Sequence, residues 1–569
     1  MPTIQRRQRV PGSESWCWPP ETHRVLRQVL SSRSIASPKE LDLNLSGLRP
    51  VGEFDALEDA VQLLCRHRNG CILIVGDFDA DGATSVALMY LCLRSLGFAK
   101  VSFFIPDRFE LGYGLTTEVV ERIKGSRPTL LVTVDNGVTS IDGVAAARAL
   151  DIDVLVTDHH LPGAELPVAN VIVNPNLHNS HFSGKNLSGV GVVFYLLAAL
   201  GRELDEPGCV TEYLDLVALG TIADLVPLDH SNRILVDEGL RRIRAGRCRP
   251  GIRALCQVSE IAWEDVTGTN LAYQVAPRLN AAGRLDDMTV GVRCLISDSE
   301  TDALAFAESL DALNRKRRVI ESKMKAEAAL LVDEEKLLLS GHLPTILCLF
   351  RDDWHEGVVG LIASRIKDSC HRPVFAFTST DSGQLKGSGR SVPGFHLRDA
   401  LVDVNAAHPG LISRFGGHAM AAGLSLDLRG FDIFRAAIAR LGQERLSPEH
   451  LAQRILTDGE LKAADLNLEV ATLLRDAGPW GQGFPEPLFE GRFELLGQRV
   501  VGNKHLKMSV QLVGSVGRLD AIAFNMEPGN WRKGDVLTLV YRLGLNNYFT
   551  VPQIQLVVEF IDSDAVTEA

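Results

Sequence analysis

Between residues 71 and 173, short apolar runs alternate with stretches of helical periodicity, and this alternation limits the folds open to the chain. The stretch 83–96 has helical periodicity and is closed by Gly97. This β-α alternation predicts a largely parallel, doubly wound sheet covered by helices. Ligands of such sheets bind just outside the carboxyl ends of the strands. The predicted strands are 71–75, 101–105, 129–134, 154–157 and 171–173.

Clusters of carboxylate and imidazole side chains follow these apolar runs. The first, Gly76-Asp-Phe-Asp-Ala-Asp-Gly82, resembles the opening of a calcium-binding EF-hand loop. A strand precedes it instead of a helix, and Leu88 stands at the twelfth position, where that loop needs a glutamate. The sequence therefore argues against an EF-hand. The candidate ligands are Asp77, Asp79, Asp81, Asp135 of Val134-Asp-Asn-Gly137, His159 of Asp158-His-His160, and Asp224 of Thr221-Ile-Ala-Asp224, with His160 beside them.

These clusters together predict a metal site. A single Asp at a strand end is more often a helix N-cap than a ligand. Several carboxylates on one sheet edge would repel each other unless cations neutralise them. Carboxylate oxygens with one or two histidine nitrogens suit Mn²⁺, with Mg²⁺ as the competitor. Zinc is less favoured, because no Cys-x-x-Cys pair supplies thiolates.

The remainder of the chain predicts three further parts. Residues 297–339 read as one long charged helix, in which Asn314 to Arg318 fit a solvated connector better than a DNA contact. A second α/β module begins near Pro344 and contains two glycine-rich loops. Five short alternating strands in the last hundred residues suggest an OB-like barrel. The predicted domains are 1–300, a connecting helix 301–340, 341–454 and 455–569.

Length and charge narrow the class of protein. A chain of 569 residues predicts three or four domains. Its net charge of -12 excludes a uniformly basic nucleic-acid coat but permits a local basic groove. The first twenty residues hold Arg6, Arg7 and Arg9 but no apolar core of a secretory signal. We therefore expect a cytoplasmic protein without a membrane segment.

The order of the four acidic clusters resembles the DHH phosphoesterase superfamily. Downstream motifs resemble its RecJ family, and the likeness runs from about residue 25 to the end. Phe78 departs from the tyrosine common at that position, which is not a metal ligand. The downstream motifs are Arg278-Leu-Asn-Ala-Ala-Gly-Arg284, Trp354-His-Glu-Gly-Val-Val-Gly360, Ser388-Gly-Arg390 and Gly416-Gly-His-Ala-Met-Ala-Ala-Gly423.

This resemblance implies a single-stranded-DNA exonuclease that uses two metal ions, works 5′→3′, releases mononucleotides, and serves repair and recombination. It implies that Asp77 and Asp79 hold one ion and Asp81 the other. Asp135 would bridge the ions, with His159 and Asp224 completing the second site. His160 would orient the neighbourhood of His159 or contact the phosphate, and Asp158 could cap the following turn.

The resemblance also implies residues that bind substrate. Arg108, Ser388 and Arg390 would form a 5′-phosphate pocket. Tyr113 would stack on a base or pack in the core. A second wall that grips phosphate from the side away from the metals would include His355, Gly416, Gly417 and His418. The residues expected to line the cleft or join the two α/β modules are Arg278, Asn280 and Arg284. On the barrel, the candidates are Lys504, His505, Lys507, Phe524 and Tyr548.

Partners and rival functions complete these expectations. Single-stranded DNA is the expected substrate, a single-strand-binding protein and a recombination helicase are the implied partners, and a monomer is expected. One rival function is another DHH hydrolase, such as a pyrophosphatase or a nuclease of short oligonucleotides. The other is a replication scaffold that binds DNA without catalysis.

Overall fold

The computed structural model describes residues 2–33, 35–339, 341–380, 383–502, 504–546 and 552–562. Its internal contacts define two compact units. The smaller unit comprises residues 1–4, 284–286 and 312–455. The larger unit comprises residues 5–283, 287–311 and 456–569.

A parallel five-stranded sheet forms the centre of the larger unit, with the strand order β3-β2-β4-β5-β6. Val75 and its apolar neighbours in β2 are buried because helices cover the sheet. The elements from the N-terminus through this sheet are β1 (Thr3–Arg6), α1 (Arg24–Leu30), α2 (Leu57–Arg66), β2 (Cys71–Gly76), α3 (Ala80–Ser95), β3 (Lys100–Phe104), α4 (Thr117–Ile123), β4 (Leu130–Val134), α5 (Ile141–Arg148), β5 (Asp153–Thr157) and β6 (Val171–Val173).

A run of helices follows the sheet. The apolar helix α7 packs against α3 and α8, and its residues are buried almost throughout. These helices are α6 (Gly189–Glu203), α7 (Leu214–Ala223), α8 (His230–Arg244), α9 (Pro250–Val258), α10 (Gly268–Asn270), a π-helical turn (Leu271–Val275), α11 (Ala276–Leu285), α12 (Thr289–Ile296) and α13 (Glu300–Leu338). The 39-residue α13 lies where the sequence predicts the long charged helix.

The smaller unit contains a mixed sheet with the order β10-β11-β9-β8-β7. Only β7 and β8 pair in parallel. Phe375, Phe377 and Phe434 form an aromatic centre of its core. The elements that follow α13 in this unit are β7 (Leu347–Phe350), α14 (Val359–Cys370), β8 (Val374–Ser379), β9 (Gln384–Arg390), α15 (Leu397–Ala407), β10 (Ile412–Gly417), β11 (Ala421–Asp427) and α16 (Phe431–Arg445).

The C-terminal strands close a barrel in the order β13-β14-β15-β17-β16. Alternate side chains point inward, so Leu506, Met508 and Val510 of β14 are buried. The elements are β12 (Arg454–Thr457), α17 (Leu468–Asp476), β13 (Phe489–Val501), β14 (His505–Leu512), β15 (Leu519–Ala523), β16 (Val536–Asn546) and β17 (Gln553–Asp562). The parallel-sheet module, the second α/β module and the OB-like barrel are thus confirmed. Among the described helices, none is long and apolar enough to cross a bilayer.

Candidate metal and active site

Three adjacent strands bring the acidic clusters to one edge of the sheet. Asp77 directly follows β2, Asp135 follows β4 and His159 lies two residues beyond β5. Because β2, β4 and β5 are neighbours in a parallel sheet, their carboxyl ends meet. The sequence predicts that all four clusters lie at the ends of strands, but Asp224 follows the helix α7. An apolar run of this length cannot be assigned to strand or helix by hydrophobicity alone.

The backbone at Asp135 adopts a left-handed conformation, with φ of 61°. This conformation is uncommon for residues other than glycine and occurs often at functional sites. The next residue, Asn136, donates its side-chain amide to the carbonyls of Val75 and Val134 at 3.2 and 2.8 Å. Asn136 therefore ties the ends of β2 and β4 together beside the Asp135 carboxylate.

The ligand atoms lie close enough to share metal ions. His159 Nε2 is 3.2 Å from Asp135 Oδ1 and 3.5 Å from Asp224 Oδ2. Three groups each have ligand atoms within 4.8 Å of one another: Asp77, Asp79 and Asp135; Asp81, His159 and Asp224; and Asp135, His159 and His160. The oxygen-rich donor set with imidazole nitrogen fits a divalent cation such as Mn²⁺ or Mg²⁺.

The same crowding affects the acidity of these groups. Burial, with the neighbouring charge of Asp79, raises the pKa of Asp77 to about 8 and that of Asp81 to about 7. Burial and nearby carboxylates also raise the pKa of Asp135 and of Asp224 well above the usual range. Without a cation, this edge of the sheet therefore retains protons at neutral pH.

Cation binding should consequently release protons. At pH 7 we expect Mn²⁺ to displace at least one proton per protein, because ligand carboxylates must ionise to bind it. The apparent affinity should rise with pH through the raised pKa of the candidate ligand Asp77. Calorimetry in buffers of different ionisation enthalpy measures the proton count. Equal heats in all buffers, with an affinity that is flat from about pH 6 to 9, would contradict this prediction.

Asp158 organises the loop after β5. Its Oδ1 accepts hydrogen bonds from the backbone N–H groups of His159 and His160, and its Oδ2 accepts from Val138 N. Oδ1 also lies 2.7 Å from His160 Nδ1. Burial lowers the pKa of His160, but the Asp158 hydrogen bond and charge outweigh burial and raise it to about 9. Asp158 thus holds the turn, and His160 presents a positively charged ring.

Asp81 contacts a helix N-terminus. Its two oxygens accept the backbone N–H groups of Gly189 and Val190, at 2.6 and 2.9 Å, in the first turn of α6. The α6 helix also lies against Asp135, because a Cβ at Gly189 would lie 2.5 Å from Asp135 Oδ1. Sequence reasoning missed Gly189. The available signal was Ser188, a typical N-cap residue, followed by two alternate glycines.

The motif from Arg278 to Gly283 braces the first acidic loop. Asn280 Oδ1 accepts the N–H of Ala80 at 2.8 Å, at the start of α3. A Cβ at Gly283 would lie 1.7 Å from the carbonyl oxygen of Phe78. Arg278 pairs with Asp311 at 2.9 Å and donates to two backbone carbonyls. These contacts fix the loop that carries the three aspartates, and substrate contact by Arg278 and Asn280 stays a prediction.

Arg108 and Tyr113 surround the Phe78 ring. The guanidinium carbon of Arg108 lies 4.5 Å from the ring centroid, within cation–π distance. Tyr113 meets the same ring edge-on, and its hydroxyl lies 3.5 Å from His160 Nε2. Tyr113 is 39% exposed, so part of its ring is open to solvent. The structure thus brings Arg108, Tyr113 and His160 together beside the acidic loop.

Several of the residues predicted to bind substrate lie in the smaller unit. Arg390 donates to Ser388 Oγ at 3.0 Å, and a Cβ at Gly360 would lie 3.0 Å from both side chains. His355 Nδ1 accepts the N–H of Gly357. Across the neighbouring strands, Ser388 pairs with Gly423, which in turn pairs with Gly416. Gly417 and His418 stand at the turn of that hairpin, where His418 N donates to Ala421 O.

The barrel candidates lie at one end of β14 and β15. Phe524 is 55% exposed, and its ring meets that of His505 edge-on. Lys507 pairs with Asp520 at 2.9 Å, which reduces its availability to a phosphate. Lys504 is exposed. Tyr548 lies outside the described residues.

Three family models match the chain in the predicted order. They are the DHH family N-terminal domain over residues 71–221, the DHHA1 domain over residues 343–443 and the RecJ OB domain over residues 457–559.

Curated relatives and solved structures extend this likeness along the whole chain. The single-stranded-DNA-specific exonuclease RecJ of Salmonella typhimurium is 49% identical, covering 94% of this chain and 95% of that protein. The Escherichia coli protein of the same name is 48% identical over 95% and 96%. The crystal structure of Thermus thermophilus RecJ in complex with Mn²⁺ has a TM-score of 0.82 and 28% identity, covering 98% of this chain and 79% of that one.

Proposed function

Because this chain belongs to the RecJ family of single-stranded-DNA-specific exonucleases, we propose that it hydrolyses the phosphodiester bonds of single-stranded DNA with a divalent metal. The observation that carries this proposal is the complete set of carboxylate and imidazole ligands on one sheet edge. A non-catalytic scaffold would not need this set. The match to the RecJ OB domain supports a polymeric substrate over pyrophosphate or very short oligonucleotides.

We assign two ions to this edge, with Mn²⁺ preferred. Asp77, Asp79 and Asp135 would hold one ion. His159 and Asp224 would hold the second together with Asp135, since His159 Nε2 lies 3.2 Å from Asp135 Oδ1 and 3.5 Å from Asp224 Oδ2. When bound, the ions supply Lewis-acid stabilisation of the negative charge that develops on the phosphate oxygens. The charged ring of His160, held by Asp158, adds a donor that can orient a phosphate oxygen. Asp77 and Asp135 are buried, which excludes water from their unused sides.

For Asp81 we propose a positioning role in place of the ligand role that the resemblance implies. Its distance to His159 and Asp224 permits ligation, but both of its oxygens already accept N–H groups from α6. An Asp81→Asn variant should therefore still bind two Mn²⁺ ions, while thermal unfolding occurs at a lower temperature and α6 exchanges its amide hydrogens faster. Titration by Mn²⁺ electron paramagnetic resonance counts the ions, and a stoichiometry of one would restore the ligand role.

We propose that Ser388 and Arg390 bind the terminal 5′-phosphate and so give the enzyme its 5′→3′ polarity. The guanidinium group of Arg390 matches phosphate geometry, and Ser388 fixes it through a hydrogen bond. Arg390→Ala should lower kcat/KM about 10- to 100-fold on 5′-phosphorylated strands, the cost of one or two charged hydrogen bonds. On 5′-hydroxyl strands it should change little.

The matched control for this prediction is Arg414→Ala, since Arg414 is an exposed arginine of the same sheet. Steady-state kinetics on the two substrates give the comparison. An equal loss on both substrates would show that Arg390 does not read the terminal phosphate.

The substrate proposal is tested by offering one DNA sequence as a single strand and as a blunt duplex, with the matching RNA as a third substrate. We expect rapid, metal-dependent degradation of the single DNA strand and slow degradation of the other two. Equal rates on the duplex would remove the single-strand assignment. Functions in repair and recombination, a monomeric state, and binding to a single-strand-binding protein or a helicase are further proposals that follow from family membership alone.

A further inference from the structure

A basic pocket lies where the N-terminal residues meet the segment that enters the barrel. The cavity has a volume of about 510 Å³. The metal centre does not use any of the arginines that the sequence places near the N-terminus. We call this cavity the arginine pocket, and its charged lining residues are Arg6, Arg7, Arg9, Asp458, Glu460 and Lys462.

Backbone hydrogen bonds attach the arginine pocket to the barrel. Arg7 N donates to Thr457 O at 2.8 Å, at the end of β12. The following residue, Asp458, donates its N–H to Leu488 O at 2.6 Å, and Glu490 N in β13 donates to Gly459 O at 3.1 Å. The position of the pocket is therefore fixed by the first barrel strand.

The floor of the pocket carries more positive than negative charge. The buried Asp458 carboxylate accepts two hydrogen bonds from Arg33, at 2.6 and 3.0 Å. Arg7 approaches the same carboxylate, but its Nε stops 3.9 Å from Asp458 Oδ1. The Asp458 carboxylate thus lies near two guanidinium groups, and it accepts hydrogen bonds from Arg33 but not from Arg7 Nε.

Arg7 is left with an unmet hydrogen bond. Its Nε is buried and has no hydrogen-bond partner among the described residues. Burial, and after it the charge of Arg33, lowers the pKa of Arg7, and the Asp458 carboxylate offsets only part of this effect. The other nearby carboxylates are occupied, since Arg6 pairs with Glu460 and Glu490 at 2.6 and 2.7 Å.

Two further positively charged side chains lie at the rim of the pocket. Arg9 and Lys462 are exposed, and neither forms an ion pair within the part of the chain that the structure describes. With Arg7, they place three available donors around one cavity on a chain whose net charge is -12. This local excess of positive charge is what a polyanion recognises on an acidic protein.

We propose that the arginine pocket binds backbone phosphates of the single-stranded substrate, as a site separate from the metal centre. The inference rests on the proposed function, since it assigns a second contact with the same polymer. Arg7 offers a planar fork for a phosphate, and Arg9 and Lys462 supply charge for its neighbours along the strand. The pocket adjoins the barrel that matches the RecJ OB domain, which favours a nucleic acid over an acidic peptide.

The test measures how salt weakens the binding of a long single strand to metal-free protein in EDTA. The plot of log affinity against log salt has a negative slope, and each lost phosphate contact reduces the absolute value of that slope by about 0.7 for single strands. The slopes given below are absolute values. Arg9→Gln combined with Lys462→Gln should therefore lower the slope by about 1.4. The matched control replaces the exposed Lys39 and Lys325 with Gln, which removes equal charge elsewhere and should leave the slope unchanged.

Arg7→Gln supplies a second variant, expected to lower the slope by about 0.7, with its thermal unfolding measured to show that the fold persists. Wild-type slopes in both pocket variants would overturn the proposal. So would wild-type DNA binding combined with lost binding of an acidic peptide, because the pocket would then serve a protein partner. Hydrolysis of single strands by the wild-type protein with Mn²⁺ is measured separately, so failure of the proposed function is distinguishable from failure of the pocket.

Discussion

Replacing Asp135 with Asn is expected to lower the rate of single-strand hydrolysis by about 10³-fold, at the upper end of what one electrostatic stabiliser contributes. Asp135 belongs to two of the three candidate ligand groups, and its Oδ1 lies 3.2 Å from His159 Nε2. An amide of the same shape keeps the backbone and the packing but removes the charge that both ions would share. The loss should therefore appear in kcat and in Mn²⁺ affinity together.

The matched control is Asp142→Asn, which removes an exposed carboxylate from the first turn of α5. It should leave kcat within about twofold, as expected of a surface substitution. Single-turnover kinetics at saturating Mn²⁺ separate the chemical step from strand binding. Retention of a tenth or more of wild-type activity by the Asp135 variant would mean that this carboxylate is not shared between ions.

Gly283→Ala is expected to reduce activity by about 10²-fold, because small misplacements of reacting groups have effects of that size. The added Cβ would lie 1.7 Å from the carbonyl oxygen of Phe78, so the backbone between Asp77 and Asp79 must move. The three atoms nearest to that Cβ all belong to Phe78, which is not a candidate ligand, so this variant tests positioning.

The control for this variant is Gly208→Ala, since a Cβ there meets no atom within 4 Å. Mn²⁺ affinity should fall in the Gly283 variant and stay constant in the control, while circular dichroism shows that both remain folded. If the Gly283 variant kept wild-type activity and metal affinity, contact between α11 and the acidic loop would have no part in the chemistry.

The sequence predicted the parts of the site that depend on strand order. Asp77, Asp135 and His159 follow strands of a parallel sheet, so their convergence follows from the rule that such strands end at one edge. Asp224 was assigned to the site from the order of the motifs, although it follows a helix instead of a strand. Periodicity alone does not distinguish a buried helix from a buried strand over a short, largely apolar run such as Leu214–Ala223.

The supporting contacts were not predictable in the same way. The bonds from Asp81 to α6 and from Asn280 to Ala80 join residues more than a hundred positions apart. Such pairs depend on how the helices pack on the sheet. The excess charge of the arginine pocket likewise arises because Arg7 and Arg33 approach the carboxylate of Asp458, which lies 425 positions after Arg33.

The most direct test follows a 5′-labelled single strand with the wild-type protein, with Mn²⁺ present and with EDTA in its place. A metal-dependent exonuclease that starts at the 5′ end releases the label as a mononucleotide in the first turnover, and only when the metal is present. A labelled mononucleotide formed equally in EDTA would contradict the metal-centre account. An intact strand together with rapid pyrophosphate hydrolysis would contradict the exonuclease account.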